Sequence, residues 1–171
     1  MEKLTRTITK ILEILLIFLM SAIVVDVTWQ VFTRFILQDP SSFTEELAGF
    51  LLIWIGLLGG SYAVYTKAHL GIDIFARKLS VSSRRYLDIV IYLIVAIFSF
   101  FILVVGGYRL VDITFTLKQI SPSIGIPMGY VYLVLPLTGV LIIYYSIIVI
   151  VTALTSKEYD PSKDIKINVI D

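Results

Sequence analysis

Four long apolar segments leave this chain little choice of fold. They run near Ile11–Ile36, Phe43–Tyr65, Leu87–Thr114 and Gly129–Leu154. Each reaches the ~18–20 residues that cross a bilayer as a helix. Together they occupy most of the 171 residues, so no soluble domain fits beside them. Apolar residues make up 58% of the sequence and charged residues 16%, against about 45–50% and about 25% in an ordinary soluble domain. We therefore expect an all-α integral membrane protein. Residues 1–155 form a single domain of four transmembrane helices, and residues 156–171 form a short polar tail that contains Pro161.

Lys3, Arg6 and Lys10 precede the first segment, as they would a signal peptide. The segment is too long for one and no small-residue cleavage site closes it, so a retained helix is expected. The chain has no cysteine, which excludes disulfides, thiolate metal sites, cysteine nucleophiles and iron–sulfur ligation. His69 is the one histidine, so two axial haem ligands cannot come from this chain alone. We expect no enzyme, no cofactor or metal, and no nucleic-acid partner.

Basic residues set the orientation of a membrane chain. Eleven of them lie at the N-terminus (Lys3, Arg6, Lys10), between helices 2 and 3 (Lys67, Arg77, Lys78, Arg84, Arg85) and in the tail (Lys157, Lys163, Lys166). Only three, Arg34, Arg109 and Lys118, fall in the other two connections. Both termini are therefore expected in the cytoplasm. Between helices 2 and 3, Ile72, Phe75, Ala76 and Leu79 keep helical spacing while Arg77 and Lys78 fall on another face. That pattern predicts a short interfacial amphipathic helix against the lipid headgroups.

Asp26 lies well inside the first apolar segment. Asp26, Gln30 and Arg34 are spaced by four and are expected on one face, turned toward protein because an ionisable group facing lipid is costly. A cation or proton site is one reading of Asp26. A polar joint to another helix is the plainer one, since a single carboxylate makes a poor cation site. Ser42 and Glu45 have capping-box spacing at the start of helix 2, where Glu45 and Glu46 also favour the positive end of the helix dipole. Gly49, Gly56, Gly60 and Ala63 fall in a narrow arc, and Gly56–Gly60 has the spacing that lets another membrane helix approach closely.

Helix 3 is apolar until Arg109 and Asp112, three apart. With Arg34, Glu45 and Glu46 they are expected at one membrane level, either as a network or as separate snorkelling side chains. Two prolines and a glycine in Ser121–Pro127 predict a fixed extended turn. Pro136 predicts a kink or a freed carbonyl within helix 4. Tyr130, Tyr132, Tyr144 and Tyr145 fit interfacial aromatic belts loosely.

Several short motifs in this order carry a resemblance. They are Trp29-Gln-Val-Phe-Thr-Arg34, Thr44-Glu45-Glu46, Trp54 with Gly59 and Gly60, His69-Leu-Gly-Ile-Asp73, and Ile126-Pro127 with Leu135-Pro136. The chain resembles the small membrane subunit, the DctQ-like family, of tripartite ATP-independent periplasmic (TRAP) transporters over roughly Ile11–Leu154. Phe43 stands where the family often has tryptophan. The resemblance implies a multi-pass protein of the bacterial cytoplasmic membrane. Its partners would be a large permease subunit, a periplasmic substrate-binding protein and membrane lipids. It would act as a scaffold in sodium-coupled import of an organic anion of the sialic acid or C4-dicarboxylate class, with the sodium sites in the large subunit. Asp26, Trp29, Arg34, Glu45, Glu46, Gly56, Gly60, His69, Asp73, Arg109 and Asp112 are the candidate interface or structural residues.

The sequence also admits a stand-alone oligomeric exporter or channel that uses Asp26, and a membrane anchor for an enzyme. Against the first, a self-sufficient transporter usually shows repeated halves, and helices 1–2 do not resemble helices 3–4. The uneven division of basic residues yields a direct expectation. A reporter fused after residue 160 reads cytoplasmic and one fused near Lys118 reads periplasmic. A periplasmic C-terminus overturns the orientation.

Overall fold

A computed structural model of the chain describes residues 2–39, 41–66 and 81–155. Every regular element among these residues is helical. Four helices are long and apolar enough to cross a membrane: Lys3–Leu37, Ser42–Tyr65, Arg85–Thr116 and Met128–Thr155. They match the four apolar segments, and the first and third reach beyond their apolar cores into charged turns. The expected interfacial helix, His69, Asp73 and the tail lie outside the described residues.

The first span is α1 (Glu2–Phe32), which widens into π turns at Thr33–Leu37. It ends at Gln38, whose left-handed backbone (φ 55°) donates its N–H to Thr33. The second span is α2 (Ser42–Tyr65). Its cap is Ser41, not Ser42 as the capping-box spacing suggested: the Ser41 hydroxyl accepts the Thr44 N–H at 3.5 Å. The Thr44 hydroxyl donates back to the Ser41 carbonyl at 2.9 Å. This doubled tie outcompetes a Ser42–Glu45 box, and Glu45 stays exposed.

The third span joins α3 (Val81–Phe98), a π stretch (Ser99–Gly106) and α4 (Gly107–Thr116). The fourth joins α5 (Met128–Tyr132) to α6 (Val134–Thr155) across a break at Leu133. The break follows from Pro136, whose ring collides with the carbonyl four residues earlier and which has no N–H to give it.

Spatial order differs from chain order. α1 packs on α2, α2 on α6, and α6 on α3 and the π stretch. The spans thus form a layer in the order first, second, fourth, third. The fourth is the inner member: 39% of its most apolar stretch is buried, against 17%, 17% and 11% for the other three. Leu12, Leu19, Leu58, Val134 and Tyr145 lie in the core this layer encloses.

Helices in lipid gain little from hiding apolar surface, so close approach through small residues does much of the holding. The tightest approaches involve the fourth span. A Cβ on Gly139 would stand 2.8 Å from the Leu103 Cβ and 3.1 Å from the Val104 backbone nitrogen. One on Gly107 would stand 2.8 Å from the Leu135 Cβ, and one on Gly129 2.5 Å from the Phe115 ring. The wide turns of Ser99–Gly106 bring their backbone up to Gly139. By contrast, a Cβ at Gly49, Gly56, Gly59 or Gly60 would meet nothing of this chain within 4 Å.

These two sets of glycines behave differently when filled. Gly139→Ala forces the third span off the fourth and destabilises the purified chain by about 1–3 kcal/mol, the usual cost of overpacking. Gly56→Ala leaves its thermal unfolding in detergent unchanged or slightly raised, because alanine favours helix. Equal melting of both variants would show that the π stretch does not bear on Gly139.

Candidate functional site

The layer is tied at its two ends, while three buried side-chain oxygens among the described residues, Asp26 Oδ2, Thr138 Oγ1 and Ser146 Oγ, have no hydrogen-bond partner. At the end that holds the chain's first residues, Thr5, Thr9 and Glu13 recur every four positions on α1 and so share a face. Thr5 shares a hydrogen bond with the Tyr144 hydroxyl at 3.0 Å, and Thr9 with the Tyr145 hydroxyl at 3.2 Å. The Tyr62 hydroxyl donates to the Glu13 carboxylate at 2.8 Å. The Tyr65 and Tyr145 rings meet at 5.0 Å, and the Tyr92 hydroxyl donates to the Val64 carbonyl at 3.4 Å. Arg85 donates to the Leu154 carbonyl at 2.7 Å, closing the helix end. All four spans take part. Tyr145 is wholly buried in this knot, not part of an aromatic belt. A line of Thr5, Thr9 and Glu13 was visible in the sequence, but nothing there named its tyrosine partners.

At the opposite end the Glu46 carboxylate accepts the backbone N–H groups of Ser123 at 2.8 Å and Ile124 at 3.2 Å. The connection it holds is a narrow turn. Ser121 donates its N–H to the Ile126 carbonyl at 2.9 Å, and Gly125 (φ 79°) donates to Ser121 at 3.0 Å. Gly125 supplies the left-handed geometry that an ordinary side chain resists. The structure does not gather the five outer charges. Glu46 turns to this connection, while Arg34, Glu45, Arg109 and Asp112 are exposed. Arg34 stands in the π turns and is exposed whereas Asp26 is buried, and Thr33 is the buried residue of those turns.

Trp54 makes the third tie. Its indole N–H donates to the Val131 carbonyl at 3.1 Å, beside the break before Pro136. Counting equal depths from the outer ends of the first two spans would put Trp54 beside Asp26, but the register of the two helices separates them. Glu13 meets Tyr62, and Asp26 lines a groove with Thr44 and Leu47. Trp54 is thus seven residues deeper than Leu47 along α2, about 10 Å at ~1.5 Å per residue.

Asp26 itself is buried, and its Oδ2 has no hydrogen-bond partner. The groove it lines is open, lies between α1 and the start of α2, and has a volume of about 570 Å³. Trp29, also on that groove, is half exposed and stacks on Phe32 at 5.6 Å. No cluster of three or more histidine, cysteine or acidic side chains suited to a metal occurs among the described residues. Gly56 and Gly60 open onto free space on α2.

The family described as "Tripartite ATP-independent periplasmic transporters, DctQ component" matches residues 23–156. Relatives carry the same description in more specific forms. The sialic acid TRAP transporter small permease protein SiaQ of Vibrio cholerae is 32% identical over 145 residues, 84% of this chain and 82% of that protein. The ectoine TRAP transporter small permease protein TeaB of Halomonas elongata is 31% identical over 61% of this chain and 53% of its own length. The sialic acid TRAP transporter permease protein SiaT of Haemophilus influenzae is 26% identical over 67% of this chain, yet the match covers only 18% of that protein.

The clamp on the loop has a local readout. Glu46→Ala leaves the Ser123 N–H without its acceptor, while the Ile124 N–H keeps the Ser121 hydroxyl at 3.2 Å, a loss of about 1–3 kcal/mol to the loop. Amide hydrogen exchange at Ser123 should speed most and at Ile124 less, while exchange in α6 stays slow. Unchanged exchange at those two amides would show that the turn holds without the carboxylate.

Proposed function

The chain belongs to the DctQ component family of the TRAP transporters, and from that premise we propose that it is the fixed membrane scaffold of a sodium-coupled importer of organic anions. It is a small permease subunit and a multi-pass protein of the inner membrane. In the proposed assembly it holds a large permease subunit, which carries solute and sodium. Both termini lie in the cytoplasm. The exposed charges Arg34, Glu45, Arg109 and Asp112 lie on the periplasmic side and help receive the solute-binding protein. Charges of this kind act mainly on encounter and orientation.

One observation carries the scaffold reading. The four spans are tied to one another at both ends, yet the first three keep most of their apolar surface uncovered by the chain, with 11–17% of their most apolar stretches buried. Val25, Leu52 and Phe101 are each more than half exposed. A layer that is fixed internally and open laterally suits a static support. The Haemophilus relative adds weight, because there the matching segment is a minor part of a longer permease chain. Relatives named for different solutes share this small subunit, which fits solute choice residing elsewhere. The sialic acid or C4-dicarboxylate class is the proposed solute.

Reconstitution tests the proposal. Liposomes holding this chain, its large permease and the binding protein take up solute on an inward sodium gradient. Liposomes with this chain alone take up none. Flux through the chain alone would replace the scaffold by a self-sufficient transporter.

A further inference from the structure

Asp26 is 7% exposed and its Oδ2 oxygen is unpaired. Leaving such a group unpaired costs about 1–3 kcal/mol, and lipid offers it no donor. The groove it lines is bounded along α1 by Phe18, Ser21, Ala22, Val25 and Trp29. These positions recur at three- and four-residue intervals, the period of a helix–helix seam. The seam extends about 16 Å along the helix axis at ~1.5 Å per residue. Its middle is lined by the small side chains of Ser21 and Ala22, which let another backbone come close.

We propose that this seam seats a transmembrane helix of a partner subunit, which directs a hydrogen-bond-donating side chain, cationic or neutral, at the Asp26 carboxylate. The inference rests on reading the chain as the small member of a larger membrane assembly, and it names the surface and the chemistry of that contact. A bound cation fits less well. Most of the lining is apolar, whereas hard cations take about six or more oxygens. A lipid ammonium also fits less well, because the seam continues to Phe18, about 12 Å past Asp26 away from the loop end.

The chain has no cysteine, so a single one can report on the seam. Ala22→Cys, labelled with a short photoreactive group and co-expressed with the large permease, is expected to cross-link to that subunit. Asp26→Leu is expected to lower the yield of co-purified complex about tenfold, since it strands the partner's donor. Asp26→Asn retains most of the yield, because an amide still accepts. Ala22→Trp lowers the yield by bulk alone while the isolated chain melts as the parent does, which separates lost docking from lost folding. Adducts from Ala22→Cys that contain only phospholipid overturn the proposal, as does full complex yield with Asp26→Leu. An intact Asp26→Leu complex whose uptake no longer depends on sodium would assign the carboxylate to a cation instead. If the unmodified chain fails to co-purify with the large permease, the scaffold reading itself falls, whatever the seam does.

Discussion

Hydrocarbon removes water as the partner of last resort for backbone groups, and the main structural devices of this chain answer that constraint. A continuous helix satisfies its own backbone. Every break must be met from outside the helix. The break at Leu133, forced by Pro136, lies beside the Val131 carbonyl, and the Trp54 indole crosses from the second span to meet it. The turn between the third and fourth spans exposes two amide donors, and Glu46 accepts both. The last turn of the fourth span offers the Leu154 carbonyl, and Arg85 caps it. In each case the side chain that meets the backbone comes from a different span, so these hydrogen bonds also fix tertiary order.

That coupling explains the layered arrangement. The fourth span carries the break, the tyrosine pair and Gly139, and it becomes the member to which both the second and third spans attach. The tyrosine hydroxyls at one end and the Glu46 clamp at the other hold the layer where water is nearest. Between them, close contact at Gly107 and Gly139 replaces hydrogen bonds. The result is a layer tied within itself and open at its sides, which fits the proposed scaffold.

The number, type and extent of the membrane helices were legible in the sequence because length and apolarity decide them. So was the effect of Pro136. The register of α1 against α2 was not legible. It depends on Glu13 meeting Tyr62, a contact 49 positions apart along the chain, and without it a count from the outer helix ends puts Trp54 level with Asp26. The π stretch was equally hidden, since Ser99–Val105 reads as ordinary apolar helix and its wide turns pack against Gly139. Small-residue patterning pointed to Gly56 and Gly60 as close contacts. The contacts within the chain proved to be Gly107, Gly129 and Gly139, which have no such spacing and work by shape against individual neighbours.

Helix length adds a last constraint on how the layer stands in the membrane. The first span has 35 residues and its partner α2 has 24. At ~1.5 Å per residue the first is about 50 Å long, well beyond the ~30 Å of hydrocarbon, while α2 overshoots it only slightly. A longer helix is accommodated by tilting or by leaving the bilayer at its ends. The register decides where the excess falls. With Glu13 beside Tyr62 and Asp26 beside Leu47, residues before about Thr9 extend past the end of α2, and Thr33–Leu37 extends past its start. The first overhang carries Lys3, Arg6 and Lys10 and is tied down through Thr5 and Thr9 to Tyr144 and Tyr145. The second changes to π turns and ends on Gln38. Asp26 therefore sits within the stretch shared by both helices and not at its edge, so the proposed donor to its carboxylate would have to come from within the membrane.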